Sequence, residues 1–396
     1  AAHERIVPLL PSGWVDCTTT SPTTDGEEPD FLWENAPHHE TRSYRDSVHC
    51  YSHLPNGSAV LDDKWALARL ALGGNKHALE THCFRGPDGF AAFCERLNIL
   101  TGSNQVAVDN STSTPDEAHF PDLVPSILKE EESTLPVPEG PLPPPPRNLW
   151  VIKDAGSNGA GGIWTVHPGN AHLIQASLLP NHRYVAQRYT WPPVLFRGRK
   201  CHVRVYGLLT SANPDTFQEE SCMYVHDQCF LHVANEPFSY PSSHDDNEDE
   251  DQLLDASVHI TNCCANSHDQ DKFAGEIVSD LSATTYQTSK EGVMVVPLQV
   301  FRSSIHEQME GLARSSVPFI RGGHANGGFQ YLGIDFVLSY EENSEGQLKP
   351  VAYLLEVNAP PSQDTATGLD HAEAVHDAVL GDLLNLWVLP KVSGGT

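Results

Sequence analysis

Basic residues are scarce in this chain. Lys and Arg number 24 against 52 Asp and Glu, a formal net charge of -28 over 396 residues. A surface of that sign repels polyanions, which argues against nucleic acid and anionic membrane as general partners. Long apolar runs are missing too. None reaches the roughly 18–20 residues that a bilayer-crossing helix needs. The stretch Ala1–Leu10 has no basic region followed by an apolar core, so it does not read as a signal peptide. Cysteine is sparse and irregularly spaced: nine residues, an odd number, with Cys263 and Cys264 adjacent and no CxxC pair. That spacing disfavours a disulfide framework and a thiolate zinc site, and predicts reduced thiols in a cytoplasmic protein. What is present is an ordinary globular composition, 39% hydrophobic and 19% charged. A chain of this length buries a sizeable core and is expected to form two or three subdomains around one site.

Residues 1–100 read as a folded mixture of helix and strand. Asp62–Leu72 places apolar residues at helical spacing behind an acidic start, and Gly89–Leu97 suggests a second helix. Residues 101–147 change character: Ser, Thr, Pro and acids dominate, ending in Pro141-Leu142-Pro143-Pro144-Pro145-Pro146. Proline fixes φ and removes amide donors, so this segment is expected to be a mobile insertion with a stiff exit. Beyond it, Leu149–Ile152, Tyr184–Tyr189 and Cys201–Thr210 read as strands. Met223–Val225 and Phe230–Val233 suggest a hairpin pair. His244–Asp251 is an acidic, solvated loop. Phe329–Ser339 and Pro350–Val357 read as core strands, and Val300–Ala313 and Glu373–Leu389 as helices.

Three features carry chemistry. In Tyr331–Leu338 one acid, Asp335, interrupts an apolar strand. Tyr353–Asn358 repeats the design with Glu356. Burying a carboxylate among such neighbours is costly unless a cation meets it. Strand alternation puts Glu356 and Asn358 on one face, and Asp335 joins them if the strands are neighbours. Such a set of oxygens suits Mg²⁺ shared with phosphates; the plainer alternative is two strands with edge acids. The second feature is Lys153, which ends an apolar strand just before Asp154-Ala155-Gly156-Ser157-Asn158-Gly159-Ala160-Gly161-Gly162-Ile163. Small residues let amides approach phosphate, and lysine adds a point charge; a plain flexible turn is the alternative. The third is Arg183–Arg204, 22 residues with six cations and no acid. It either neutralises phosphates or a carboxylate, or forms a basic surface face.

The order of these blocks resembles the ATP-grasp ligases, and more narrowly the tubulin–tyrosine ligase-like family. The resemblance rests on Trp150–Lys153 with Gly162-Ile163, Gln187-Arg188-Tyr189, Gly198-Arg199-Lys200 through Arg204-Val205-Tyr206, and Glu236-Pro237-Phe238. It continues through His259-Ile260-Thr261-Asn262, Gly333-Ile334-Asp335-Phe336 and Leu355-Glu356-Val357-Asn358 followed by Pro360. It covers residues 148–390 and touches 50–100 faintly. It implies an α+β ATP-grasp fold with antiparallel-rich sheets, flanking helices and a nucleotide between two subdomains. The central subdomain would span 148–190 and the C-terminal one 191–396, behind an N-terminal α/β subdomain at 1–100. By resemblance, Lys153 holds phosphates with the Gly162-Ile163 turn, and Gln187, Arg188, Tyr189 and Thr190 form the hinge against adenine. Lys200 and Asn262 touch the nucleotide, Arg204 binds the amino acid or the acyl phosphate, and Asp335, Glu356 and Asn358 ligate Mg²⁺. The implied partners are ATP, an amino acid and a protein carboxylate, with a tubulin tail as the default acceptor. Three departures stand out: no basic residue near Gly159, His202 where the family has an acid, and His232 where it has an arginine. They keep open a ligase for a small metabolite or another protein, and a nucleotide-binding scaffold with weakened catalysis.

Overall fold

Apolar runs with short polar interruptions dictate strands here, β13 being buried on both faces, and these strands form two sheets whose facing walls enclose a cleft. The computed structural model describes residues 6–10, 31–34, 48, 50–71, 78–99, 148–157, 162–211, 221–238, 256–261, 276–278, 284–288, 292–295, 298–320, 328–362 and 370–393. The expected insertion at 101–147 and the acidic loop at 244–251 lie outside the described residues, as do Gly159 and Asn262.

In chain order the strands are β1 (Phe31–Leu32), β2 (Cys50–Tyr51), β3 (Thr81–Arg85), β4 (Trp150–Asp154), β5 (Ile163–Val166), β6 (Arg183–Arg188) and β7 (Leu195–Phe196). They continue as β8 (Arg199–Ser211), β9 (Cys222–Val233), β10 (Glu276–Val278), β11 (Thr284–Thr288), β12 (Gly292–Val295), β13 (Gly328–Glu342) and β14 (Leu348–Asn358). The helices are α1 (Gly57–Leu61), α2 (Lys64–Ala66), α3 (Gly86–Arg96), α4 (Ala171–Ser177), α5 (Ala256–His259), α6 (Arg302–Ser316), α7 (Asp370–Leu383) and α8 (Leu389–Ser393).

The smaller sheet has four antiparallel strands in the order β3-β6-β4-β5. Alternation splits its residues cleanly. Trp150, Ile152, Tyr184 and Ala186 pack with Phe84, Phe90 and Phe93 into one apolar cluster. Val151, Lys153 and Gln187 take the other face and line the cleft. Among the described residues the larger sheet has ten strands, and its central ladder runs β14-β13-β8-β9. One face carries Val203, Val205, Ile334 and Phe336 against Phe301, Met309 and Leu312 of the α6 region. Each such buried side chain contributes roughly 1.5–3 kcal/mol. The other face is divided along its length. Tyr206, Leu208, Phe230, Phe329 and Tyr331 lie under Val375, Val379 and Leu383 of α7, while Lys200 and His202, further toward the N-terminus of β8, remain open to the cleft. The first hundred residues feed both sheets, with β1 and β2 joining the larger and β3 the smaller.

Several elements differ from expectation in instructive ways. The expected hairpin at Met223–Val225 and Phe230–Val233 is one continuous strand, β9, paired along β8. The polar triplet His226-Asp227-Gln228 looks like a turn, but pairing passes from Val205↔Cys229 to Gly207↔Val225, so the triplet is absorbed as a bulge. His226 Nδ1 accepts the Gln228 amide at 3.0 Å within it. The helix expected at Asp62–Leu72 starts at Lys64 and winds into a π-helical turn, Leu67–Ala71. Asp63 caps it, its Oδ1 accepting the Ala66 amide at 2.8 Å. The helix expected at Gly89 begins at Gly86, whose φ of +58° favours glycine, with Pro87 in the first turn.

Candidate active site

Lys153 is the most constrained group in the cleft. It is 7% exposed, and its Nζ donates to Gln187 Oε1 and to the Leu355 carbonyl, each at 3.1 Å. The second acceptor exists because of a bulge. Pairing between β13 and β14 steps from Asp335↔Glu356 to Phe336↔Leu354, leaving Leu355 as the extra residue. Gln187 Nε2 donates to the neighbouring Leu354 carbonyl at 3.3 Å. The two sheets are therefore joined at the back of the cleft by the lysine and the glutamine. Burial lowers the lysine pKa, opposed chiefly by the Glu356 carboxylate.

Asp335 and Glu356 face each other across the strand pair, and Asn358 lies two residues beyond Glu356 on the same face. Asp335 is 2% exposed and is held bidentately by Arg204, with Nε to Oδ1 at 2.7 Å and Nη2 to Oδ2 at 2.6 Å. Burial works against the guanidinium charge, and Asp335 outweighs it, so the Arg204 pKa is raised. Asn358 Nδ2 lies 3.4 Å from the Gly333 carbonyl. These are hard oxygen donors. Among the described residues no group of three or more His, Cys, Asp and Glu is placed to hold a metal alone. Mg²⁺ commonly takes one or two carboxylates and completes its shell with phosphate oxygens and water. This donor set fits a metal that arrives with a polyphosphate.

Lys200, on β8 of the larger sheet, has its Nζ 4.2 Å from the Tyr189 ring centroid. Burial, then the neighbouring Lys153, pushes its pKa down to about 7. The Tyr189 hydroxyl is 2.8 Å from His259 Nδ1. His202 Nδ1 is 2.5 Å from the Thr261 hydroxyl, and its Nε2 is 3.6 Å from Asp335 Oδ2. The His202 ring stacks on its cross-strand partner His232, with centroids 4.6 Å apart and planes at 12°. Burial pushes His202 down to about 3 and His232 well below its ordinary value, so both rings are neutral at neutral pH.

Of the residues singled out in the sequence, Lys153, Ile163, Gln187, Arg188, Tyr189, Thr190, Lys200, Asp335 and Glu356 line one cleft of about 780 Å³, part of it open solvent. Its apolar lining comes from Leu79, Val151, Ile163, Val337 and Leu355. Gly162, with φ +72°, closes the turn behind Lys153 through an Asp154 N–H to Gly162 carbonyl bond of 2.8 Å. Arg204 and Asn358 stand behind the lining, and Asn262 falls outside the described residues beside Thr261, which does line the cleft. The basic segment is dispersed by strand alternation. Arg183 pairs with Asp63, Arg188 with Glu80, Arg197 sits over Phe196, and Arg199 donates to the Ala234 carbonyl. Only Arg188 and Lys200 of its six cations line the cleft.

A deep cleft between two antiparallel-rich sheets is the ATP-grasp arrangement. The C-terminal domain of K. lactis Pby1, described as an ATP-grasp enzyme interacting with the mRNA decapping enzyme Dcp2, superimposes with a TM-score of 0.52 at 17% identity. That likeness covers 94% of this chain and 86% of the Pby1 domain. The family model described as the tubulin-tyrosine ligase family matches residues 110–394. The chain belongs to that family. Tubulin polyglutamylase TTLL13 of Mus musculus is 26% identical over 248 residues, 59% of this chain and 27% of its own length. Tubulin monoglycylase TTLL3 of Danio rerio is 23% identical over 241 residues, 56% of this chain and 27% of its own. The chain thus spans about a quarter of the length of these curated relatives. Among the described residues no helix is long and apolar enough to cross a membrane.

Proposed function

We propose that this chain is an ATP-dependent ligase that joins an amine to a protein carboxylate through an acyl phosphate. The observation that carries the proposal is the Lys153 ammonium bonded to the carbonyl of Leu355, one residue before Glu356. A candidate phosphate-binding cation and a candidate metal carboxylate thereby meet in one cleft. The apolar walls and the Tyr189–Lys200 pair suit a flat purine, and Lys153 suits the phosphates. Bound through Asp335, Glu356 and Asn358, Mg²⁺ would neutralise phosphate charge. The acceptor carboxylate oxygen attacks the γ-phosphorus of ATP and ADP leaves. The amine nitrogen then attacks the acyl carbon, the C–O bond to phosphate breaks, and an amide, inorganic phosphate and a proton result. The protein's contribution is alignment and a charged surround fixed in advance. Arg204 acts here by holding Asp335 in place.

A tubulin C-terminal tail is the first acceptor to test, given the tubulin-modifying relatives. A second possibility, a different protein carboxylate or a small metabolite, is favoured by the net charge of -28, which repels an acidic tail. The test is a mass-shift screen of acceptor peptides with ATP, Mg²⁺ and each amino acid. Addition of one residue mass, lost in Glu356→Gln, is expected. ATP binding without ADP release under any acceptor would contradict the ligase and leave a nucleotide-binding scaffold.

A further inference from the structure

Residues 58–65 lie outside the family-matched segment, belong to neither sheet, and touch both walls of the cleft. At one end Ser58 Oγ donates to the carbonyl of Ala359 at 2.7 Å, 301 residues away. Ala359 is the first residue after Asn358, so this end grips the exit of the carboxylate strand. At the other end Lys64 Nζ donates to the Ser157 carbonyl at 3.0 Å, in the loop that follows Lys153. Asp63 Oδ2 accepts from Arg183 Nη2 at 2.9 Å, on the first residue of β6. Trp65 sits beneath two guanidiniums, those of Arg85 and Arg183, at 5.7 and 6.0 Å from its ring. The Asp63 cap fixes the angle between these two ends.

We propose that residues 58–65 form a clasp that sets the distance between the loop after Lys153 and the strand bearing Glu356, with Asp63, Arg183 and Ser58 as positioning residues. A continuous helix packed on one wall would need contacts to that wall alone. Here Ser58 is spent on a link to one wall and Asp63 and Lys64 on links to the other. Triphosphate and metal must be reached from both walls at once, so their binding depends on that distance in a way that purine burial does not. The clasp rests on the nucleotide site proposed above.

The two ends act in series, so weakening either one slackens the clasp. Arg183→Met removes the ion pair while keeping an apolar stem against Trp65, and Ser58→Ala frees the Ala359 end. Calorimetry on the full chain would measure Kd for Mg·ATP and for adenosine in each variant and in the double variant. Each single change is expected to weaken Mg·ATP by roughly three- to tenfold, the scale of one partly exposed ion pair or cation–π contact. Adenosine affinity should stay within about twofold, and the double variant should lose little more than the weaker-binding single, the mark of a shared unit. Arg183→Lys should recover part of the loss. Unchanged Mg·ATP affinity in both single variants would overturn the clasp, and so would equal losses for Mg·ATP and adenosine. A wild-type chain that binds neither ligand would instead overturn the nucleotide site itself.

Discussion

Removing Arg204 isolates the part of the site most dependent on charge pairing. Arg204→Met leaves Asp335, only 2% exposed, without the two charge-assisted bonds of 2.7 and 2.6 Å that hold it. The Arg204 side chain is itself 12% exposed, so solvent screens this pair little. Breaking a buried pair from one side typically costs about 3–5 kcal/mol, because the remaining charge keeps its desolvation penalty. Against a total stability of about 5–15 kcal/mol, that is a large fraction. Removing both charges together, as in Arg204→Met with Asp335→Leu, leaves no orphaned ion and should cost much less than the sum of the singles. The expected coupling is about 2 kcal/mol or more. Urea denaturation of the four proteins measures it. A single-variant loss below about 1 kcal/mol, or strict additivity, would refute the claim that Arg204 exists to hold Asp335.

Three further outcomes follow from the site. Lys200, lowered to about 7, is half neutral at neutral pH in the free chain; ATP binding should therefore take up a proton, and affinity should fall toward tenfold per pH unit above 7. Calorimetry in buffers of different ionisation enthalpy checks this, and an affinity flat from about pH 6 to 8.5 would contradict it. Without ligand the sign reverses: an unfolded lysine stays charged up to about 10.5, so the penalty of burying Lys200 fades and stability rises as pH climbs from about 7 to 10.5. Gly162→Ala places a Cβ 2.8 Å from Asp154 Cβ at a φ of +72°; a cost of about 1–2 kcal/mol and weaker ATP binding are expected from thermal melts and titration. Gly333→Ala drives its Cβ to 2.6 Å from Pro361 Cβ, opposite Asn358; a loss of about 1–3 kcal/mol is expected in the same melts.

Much of the cleft was legible in the sequence because its groups break local rules. Asp335 and Glu356 are acids inside apolar strands, and Lys153 ends one, so each announces a compensating partner. Other parts were hidden for physical reasons. The bulge that frees the Leu355 carbonyl leaves no mark in a run of apolar residues, since register is set by the partner strand. The Arg183–Arg204 cations looked like one patch, yet alternation and local partners such as Glu80 and Asp63 send most of them elsewhere. The acidic start at Asp62 signalled a helix, which begins at Lys64, but helical spacing says nothing about the neighbouring Ser58 link to Ala359. Likewise the polar His226–Gln228 triplet gave a turn signal that long-range pairing with β8 overrode.

The most direct test of the site is a crystal structure with a non-hydrolysable ATP analogue and Mn²⁺, located by its anomalous scattering. The account predicts one manganese coordinated by Glu356 and Asp335 with Asn358, its remaining ligands phosphate oxygens that also meet Lys153. A nucleotide bound outside this cleft, or a manganese remote from Glu356, would contradict it.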